Sequence, residues 1–264
     1  MDLNTFIKQL KYFASHPVIK LFIMPLTLIL FGTSFGSKGN PLNLVGAIVF
    51  YFFMLMMQFI EQYLFINVSK RGYVKWQPLY MFELIILIFL VLLYYITNII
   101  FTILAFLYVV STHLMYAPFK LKGTIYYIIL QVFLKGLVVT ILASFIQVNL
   151  ITMNLFVAIL PLVSGLLVYY AESEKLDIVK YGMVALPKNL LRYLSIAGLI
   201  GMAAFPFAIG RVALTNILFD VLLVGIVGLF IQFMFKNKHY LNTGKSKNYL
   251  SSLYTLYVLL LSLF

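Results

Sequence analysis

The sequence predicts an all-α integral membrane protein of nine transmembrane helices in a single bundle, and three observations predict it. Of the 264 residues, 64% are hydrophobic and only 10% charged, with a mean hydropathy of +1.06. No single water-soluble core hides that much apolar surface, so the solvent must be lipid. Apolar runs of about 20 residues, the length that crosses a hydrocarbon core, recur along the whole chain. Finally, 16 of the 19 Lys and Arg fall in alternate connections on one side of a nine-span arrangement. Only Lys38 and Arg211 fall on the other side, and Lys135 lies within a span. That asymmetry is the positive-inside pattern. A multi-pass protein of the cell membrane is therefore expected, with its N-terminus cytoplasmic, its C-terminus outside, and membrane lipids as its surroundings.

The formal charge of +12 then reports topology, and no nucleic-acid partner is expected. Cysteine is absent, which excludes a disulfide framework and a thiolate metal site. The three histidines, His16, His113 and His239, are too scattered to suggest a metal site. No Walker A motif occurs. One membrane domain over residues 1–264 is expected.

Along residues 1–17, Leu3, Phe6, Ile7, Leu10 and Phe13 recur at helical spacing with Lys8 and Lys11 on the other face. That pattern predicts an amphipathic helix lying in the cytoplasmic interface. The first span is expected at 18–35; the amphipathic lead and the lack of a small-residue cleavage site argue against a signal peptide. The second, at 43–66, carries Gln58 and Glu61 three residues apart on one helix face. A basic cytoplasmic loop follows at 67–78, with Lys70, Arg71 and Lys75. The third span, 79–97, places Glu83 at a depth similar to that of Glu61. The polar pair Thr97-Asn98 divides it from the fourth, 99–117.

The fifth span, 124–146, holds Lys135 near its middle, where no snorkelling route reaches water. An ionised group there costs about 2.5–3.5 kcal/mol on insertion scales, so Lys135 is expected to face a polar cavity, the alternative being an acidic partner. The sixth span, 151–171, leads into a second cytoplasmic loop, 172–189. Three of the chain's seven acids, Glu172, Glu174 and Asp177, stand there within six positions. Alternating charges after a span are most simply a solvated helix end. Spans at 190–208, 213–235 (with Asp220) and 249–264 complete the set.

Nine spans with their most polar cytoplasmic connections after the second and sixth resemble the UbiA superfamily of intramembrane prenyltransferases. MYAPFKLKG, residues 115–123, looks like that family's Tyr-x-x-Pro-Phe-x-Leu-Lys linker. SKRGYVKWQPL, residues 69–79, resembles its basic segment ending in Arg-Pro-Leu, with Gln77 in place of the Arg. YYAESEKLDIVKYGMVALPKN, residues 169–189, resembles its second aspartate-rich motif and tail, with Val184, Leu186 and Pro187 in register. His16-Pro17 stands where many members have Arg-Pro.

The resemblance implies a bundle around a central cavity, in which Mg²⁺ on carboxylates neutralises the leaving diphosphate of a prenyl donor. The metal set it implies is Glu61, Glu172, Glu174 and Asp177. Gln58, Asn67, Arg71, Lys122, Lys135 and Lys180 would then face the substrates. The product would be a prenylated aromatic or other lipophilic acceptor, as in quinone biosynthesis. The chain departs from the family at the acids. The first motif should read Asn-Asp-x-x-Asp-x-x-x-Asp, whereas MMQFIEQYLFINVSK offers Glu61 alone. In the second, Glu174 meets an aspartate position, Tyr170 stands on another, and Glu172 and Asp177 are out of register. Two readings stay open on the residues: a divergent prenyltransferase, or a non-catalytic isoprenoid- or quinone-binding protein or complex subunit on the same fold.

Overall fold

The computed structural model describes residues 17–71, 76–181, 186–208, 217–235 and 243–263, without the side chains of 17–20, 69–71, 179–181 and 188. The interfacial helix expected at 1–17 thus lies outside the described residues, apart from the backbone of Pro17. Among the described residues the fold is entirely helical, in nine rods. The first four are α1 (Pro17–Gly36), α2 (Leu44–Leu64, continued by a π-helix, Phe65–Arg71), α3 (Trp76–Ile96) and α4 (Ile99–Tyr116). The fifth has three parts: α5 (Ile125–Val132), a π-helix (Phe133–Val138) and α6 (Val139–Val148). Then come α7 (Met153–Tyr181), α8 (Lys188–Ala208), α9 (Ile217–Phe235) and α10 (Thr243–Leu263).

Seven of these rods are long and apolar enough to cross a bilayer: α2, α3, α4, the fifth rod, α7, α8 and α9. The apolar stretch of α1, Leu21–Gly36, is shorter, and α10 opens with the polar run TGKSKN. The nine rods stand where nine spans are expected. The break at Thr97-Asn98 is real: Asn98 caps α4, its side chain accepting from Phe101 N–H at 3.1 Å. The sixth connection differs. The loop expected from residue 172 is helix as far as Tyr181, because ESEKL is built of good helix formers. Residues 67–71, also expected as loop, continue α2.

The chain packs as two compact units. The mid-chain unit is Leu28–Phe156. Its α1 segment carries Gly32 and Gly36 one turn apart, and a methyl group on either would fall 2.4 Å from Thr140 O or 2.6 Å from Ser144 O. Small residues at this spacing let two helix backbones approach closely, which is how helices associate where no water drives them together. Asn43 fastens the end of α6: its N–H donates to Gln147 Oε1 (2.8 Å), its Nδ2 to Ile146 O (3.1 Å), and its Oδ1 accepts from Gly46 N–H. On α3 only Leu79, Ile86 and Leu93 are buried. One stripe, every seventh residue, is fully buried in the unit, while the opposite face of α3 is exposed.

The terminal unit joins Met1–Thr27 to Val157–Phe264. Here Thr27 pairs with Thr255 at 3.2 Å, and α7 and α8 meet where Gly201 lies against Ser164. From α10, Tyr254 and Tyr257 fill the core with no exposed surface. Tyr257 solves a local problem. Pro206 has no N–H, so Met202 O lacks its usual helix partner. The Tyr257 hydroxyl reaches Met202 O and Pro161 O, each at 3.3 Å. In a membrane interior, a group from a neighbouring helix is one way a carbonyl freed by proline is satisfied.

Candidate functional site

The mid-chain unit holds a charged centre built from three rods. Glu61, four positions before the π-helical end of α2, is buried. The Lys135 ammonium stands 2.5 Å from its Oε2, and both side chains are only 12% exposed. Gln131 Nε2 donates to Glu61 Oε1, as does the Tyr116 hydroxyl at 3.2 Å. Tyr116 Oη in turn lies 3.1 Å from Tyr127 Oη.

Local structure sets each of these positions. Thr124 caps α5 by accepting from Tyr127 N–H, which fixes Tyr127 in the first turn. Tyr116 closes α4 just before the APFKLKG connection, whose Gly123 has φ +86°, a conformation that suits glycine. In that connection the Lys122 ammonium lies 4.3 Å from the centre of the Tyr127 ring and 5.2 Å from that of Phe65. Lys135 lies in the π-helical turn Phe133–Val138, beside Gly136. Such single-turn widenings inside α-helices are frequent at functional sites.

The charge of Lys135 is therefore answered by Glu61, the alternative to the polar cavity that its depth suggests. Glu83 does not join them. It pairs with His113 Nε2 at 3.3 Å and is 39% exposed. Gln58 is half-buried one turn before Glu61 and makes none of its hydrogen bonds among the described residues. Asn67 is buried and donates to Tyr63 O of its own helix at 2.8 Å. The side chains of Arg71 and Lys180 lie outside the described residues.

The terminal unit contains a second set of charges, on the last turns of α7. Glu172, Glu174 and Asp177 are 5%, 1% and 2% exposed, so they do not form a solvated helix end. Glu172 pairs with Lys175 and accepts from the Ser195 hydroxyl of α8 at 2.6 Å. Asp177 pairs with Lys247 of α10. Compared with known proteins, the chain matches no family model, no curated protein and no solved structure.

These carboxylates do not suit Mg²⁺. A divalent ion held by protein oxygens wants several carboxylate or carbonyl ligands converging on one point. Glu61, Glu172 and Asp177 each carry a lysine ammonium instead. Among the described residues no group of three or more His, Asp or Glu side chains is placed to hold a metal. What the mid-chain centre offers is a neutral set of groups: the Lys135 ammonium, the Gln131 amide and two phenols as donors, with the Glu61 carboxylate as acceptor. Sequence reasoning missed Gln131, Tyr116, Tyr127 and Ser195. The i, i+4 spacing of Gln131 and Lys135 was the one available signal for Gln131.

Proposed function

We propose that the protein is a UbiA-like, non-catalytic membrane protein that binds a neutral prenylated lipid, a quinone or phenol, at the charged centre of the mid-chain unit. The basic connections face the cytoplasm, and all nine rods lie across or against the bilayer. The observation that carries this reading is the neutralisation of Lys135 by Glu61. A prenyl diphosphate brings several negative charges and is held by metal ions or by cations free to meet it. A quinone or phenol head has no net charge and is recognised by a few placed donors and acceptors in an apolar setting; Gln131, Tyr116 and the Glu61–Lys135 pair are groups of that kind, bonded to one another here, and a bound head would exchange for some of these bonds. The isoprenoid itself rests on the family resemblance.

The test is photo-crosslinking of purified protein in lipid nanodiscs with a photoreactive prenylated benzoquinone. Labelled peptides from α2, α4 and α5, insensitive to Mg²⁺ chelation and lost in the Glu61→Gln/Lys135→Met double variant, are the expected result. Mg²⁺-dependent turnover of a labelled prenyl diphosphate would replace this reading with the prenyltransferase one.

A further inference from the structure

We infer that the exposed face of α9 is the docking surface for a second copy of this chain, the two copies joined as a parallel pair with Gln232 against Gln232. This goes beyond lipid binding and does not depend on it. α9 is among the rods long and apolar enough to cross a bilayer. Phe219, Leu223, Phe230 and Phe233 are buried on one side of it. On the reverse side stand Leu218, Val221, Gly225, Gly228, Gln232 and Phe235, and all six are exposed. Their spacings alternate between three and four residues along almost the whole rod. That alternation is the seam of a two-helix coil, in which one stripe faces a partner helix turn after turn.

Gln232 is the residue that lipid does not satisfy. Its amide makes no hydrogen bond among the described residues. It stands three positions before the C-terminal end of α9. Side chains on a helix lean toward the N-terminus, so this amide is directed back into the hydrocarbon and away from the nearer membrane surface. It carries donors and an acceptor, and where no water reaches, polar side chains of this kind bond across to another helix. Gly228 and Gly225 lie one and two turns before it on the same face. A methyl group on either would meet nothing within 4 Å, whereas the positions beside Gly32 and Gly36 are already filled by the fifth rod. A flat stretch beside the amide lets a second backbone come close enough for the bond to form.

A second copy fits this face better than a different protein. All copies insert with one orientation, so two of them pair about a two-fold axis along the membrane normal, and each seam position meets itself. A primary amide suits that arrangement. Each Gln232 donates an N–H to the carbonyl oxygen of the other, giving two reciprocal bonds from one residue type. The seam holds no charged side chain that self-pairing would set against its like. A single polar residue in an otherwise apolar seam also fixes the register, because any slip leaves both amides unbonded.

The test uses the full chain, which has no cysteine of its own, in liposomes with no quinone added. Val221→Cys, on the seam, should form a disulfide-linked dimer under mild oxidation. Leu222→Cys, also exposed but off the seam, should not. Energy transfer between labelled copies, followed as the protein is diluted in lipid, reads the dimerisation constant. Gln232→Leu should weaken pairing about tenfold, the scale of two interhelical hydrogen bonds in lipid. Gly228→Leu, which blocks the close approach, should leave monomers. Both positions are exposed, so at high dilution each variant should unfold no earlier than the unmodified chain, which separates lost pairing from lost folding. Equal crosslinking by the two cysteines, a monomer at every dilution, or unchanged pairing in either variant would overturn the proposal. So would crosslinking of Val221→Cys to a different membrane protein in native membranes while the purified chain stays monomeric.

Discussion

The Lys135 ammonium stands 2.5 Å from Glu61 Oε2, although the two residues are 74 positions apart in the chain. Each answers the other's charge in a span interior, and together they pin the middle of the fifth rod to the end of α2. Removing one partner strands the other.

Lys135→Met and Glu61→Gln should therefore each destabilise the protein by about 3–5 kcal/mol, the cost of an uncompensated buried charge. The double variant should recover most of that loss. Thermal unfolding in mild detergent, arranged as a double-mutant cycle, measures the coupling. Additive losses would show that the two charges are independently solvated.

Tyr257→Phe should cost about 1 kcal/mol by withdrawing the hydroxyl from Met202 O. In a Pro206→Ala background, α8 regains the N–H that serves this carbonyl. The same change should then cost distinctly less. Equal penalties in both backgrounds would mean that the hydroxyl acts elsewhere.

Two glycine positions make a contrast. Gly32→Ala drives a methyl group to 2.4 Å from Thr140 O, and overpacking of this kind costs about 1–3 kcal/mol. Gly225→Ala, inside α9, meets nothing within 4 Å and should stabilise by about 0.5–1 kcal/mol through helix propensity. Unfolding midpoints of the two variants decide the matter.

The chain has no cysteine, so single cysteines report orientation without background. Gln77→Cys and Pro187→Cys, both at exposed positions, should resist a membrane-impermeant thiol reagent until the membrane is opened. Asn40→Cys, also exposed, should react from outside intact cells. The reverse pattern would invert the topology inferred from the lysines and arginines.

The rods were legible because lipid demands long apolar runs, and because Thr97-Asn98 interrupts one of them with a usable cap. Glu61 and Lys135 could be named from the chain, since a charge in an apolar run stands out. Their pairing could not, as Glu83 was an equally good acid by depth and went to His113 instead. The last turns of α7 were misjudged for a related reason. ESEKLD reads as a hydrated end unless one knows that Ser195 and Lys247, 23 and 70 positions away, cover Glu172 and Asp177. The π-turn left only a Lys-Gly step in the sequence, which many regular helices also contain.

The length of α7 has a consequence for the lipid. Its 29 residues extend about 44 Å at 1.5 Å per residue, well beyond a hydrocarbon layer about 30 Å thick. Its described surplus carries Glu172 and Asp177, which Lys175, Ser195 and Lys247 answer, so these carboxylates are buried in protein. By contrast α4, at 18 residues, extends only about 27 Å. Hydrophobic mismatch therefore falls on α4. A bilayer of longer acyl chains must thin around that rod or draw its ends inward, while α7 has length to spare for the change.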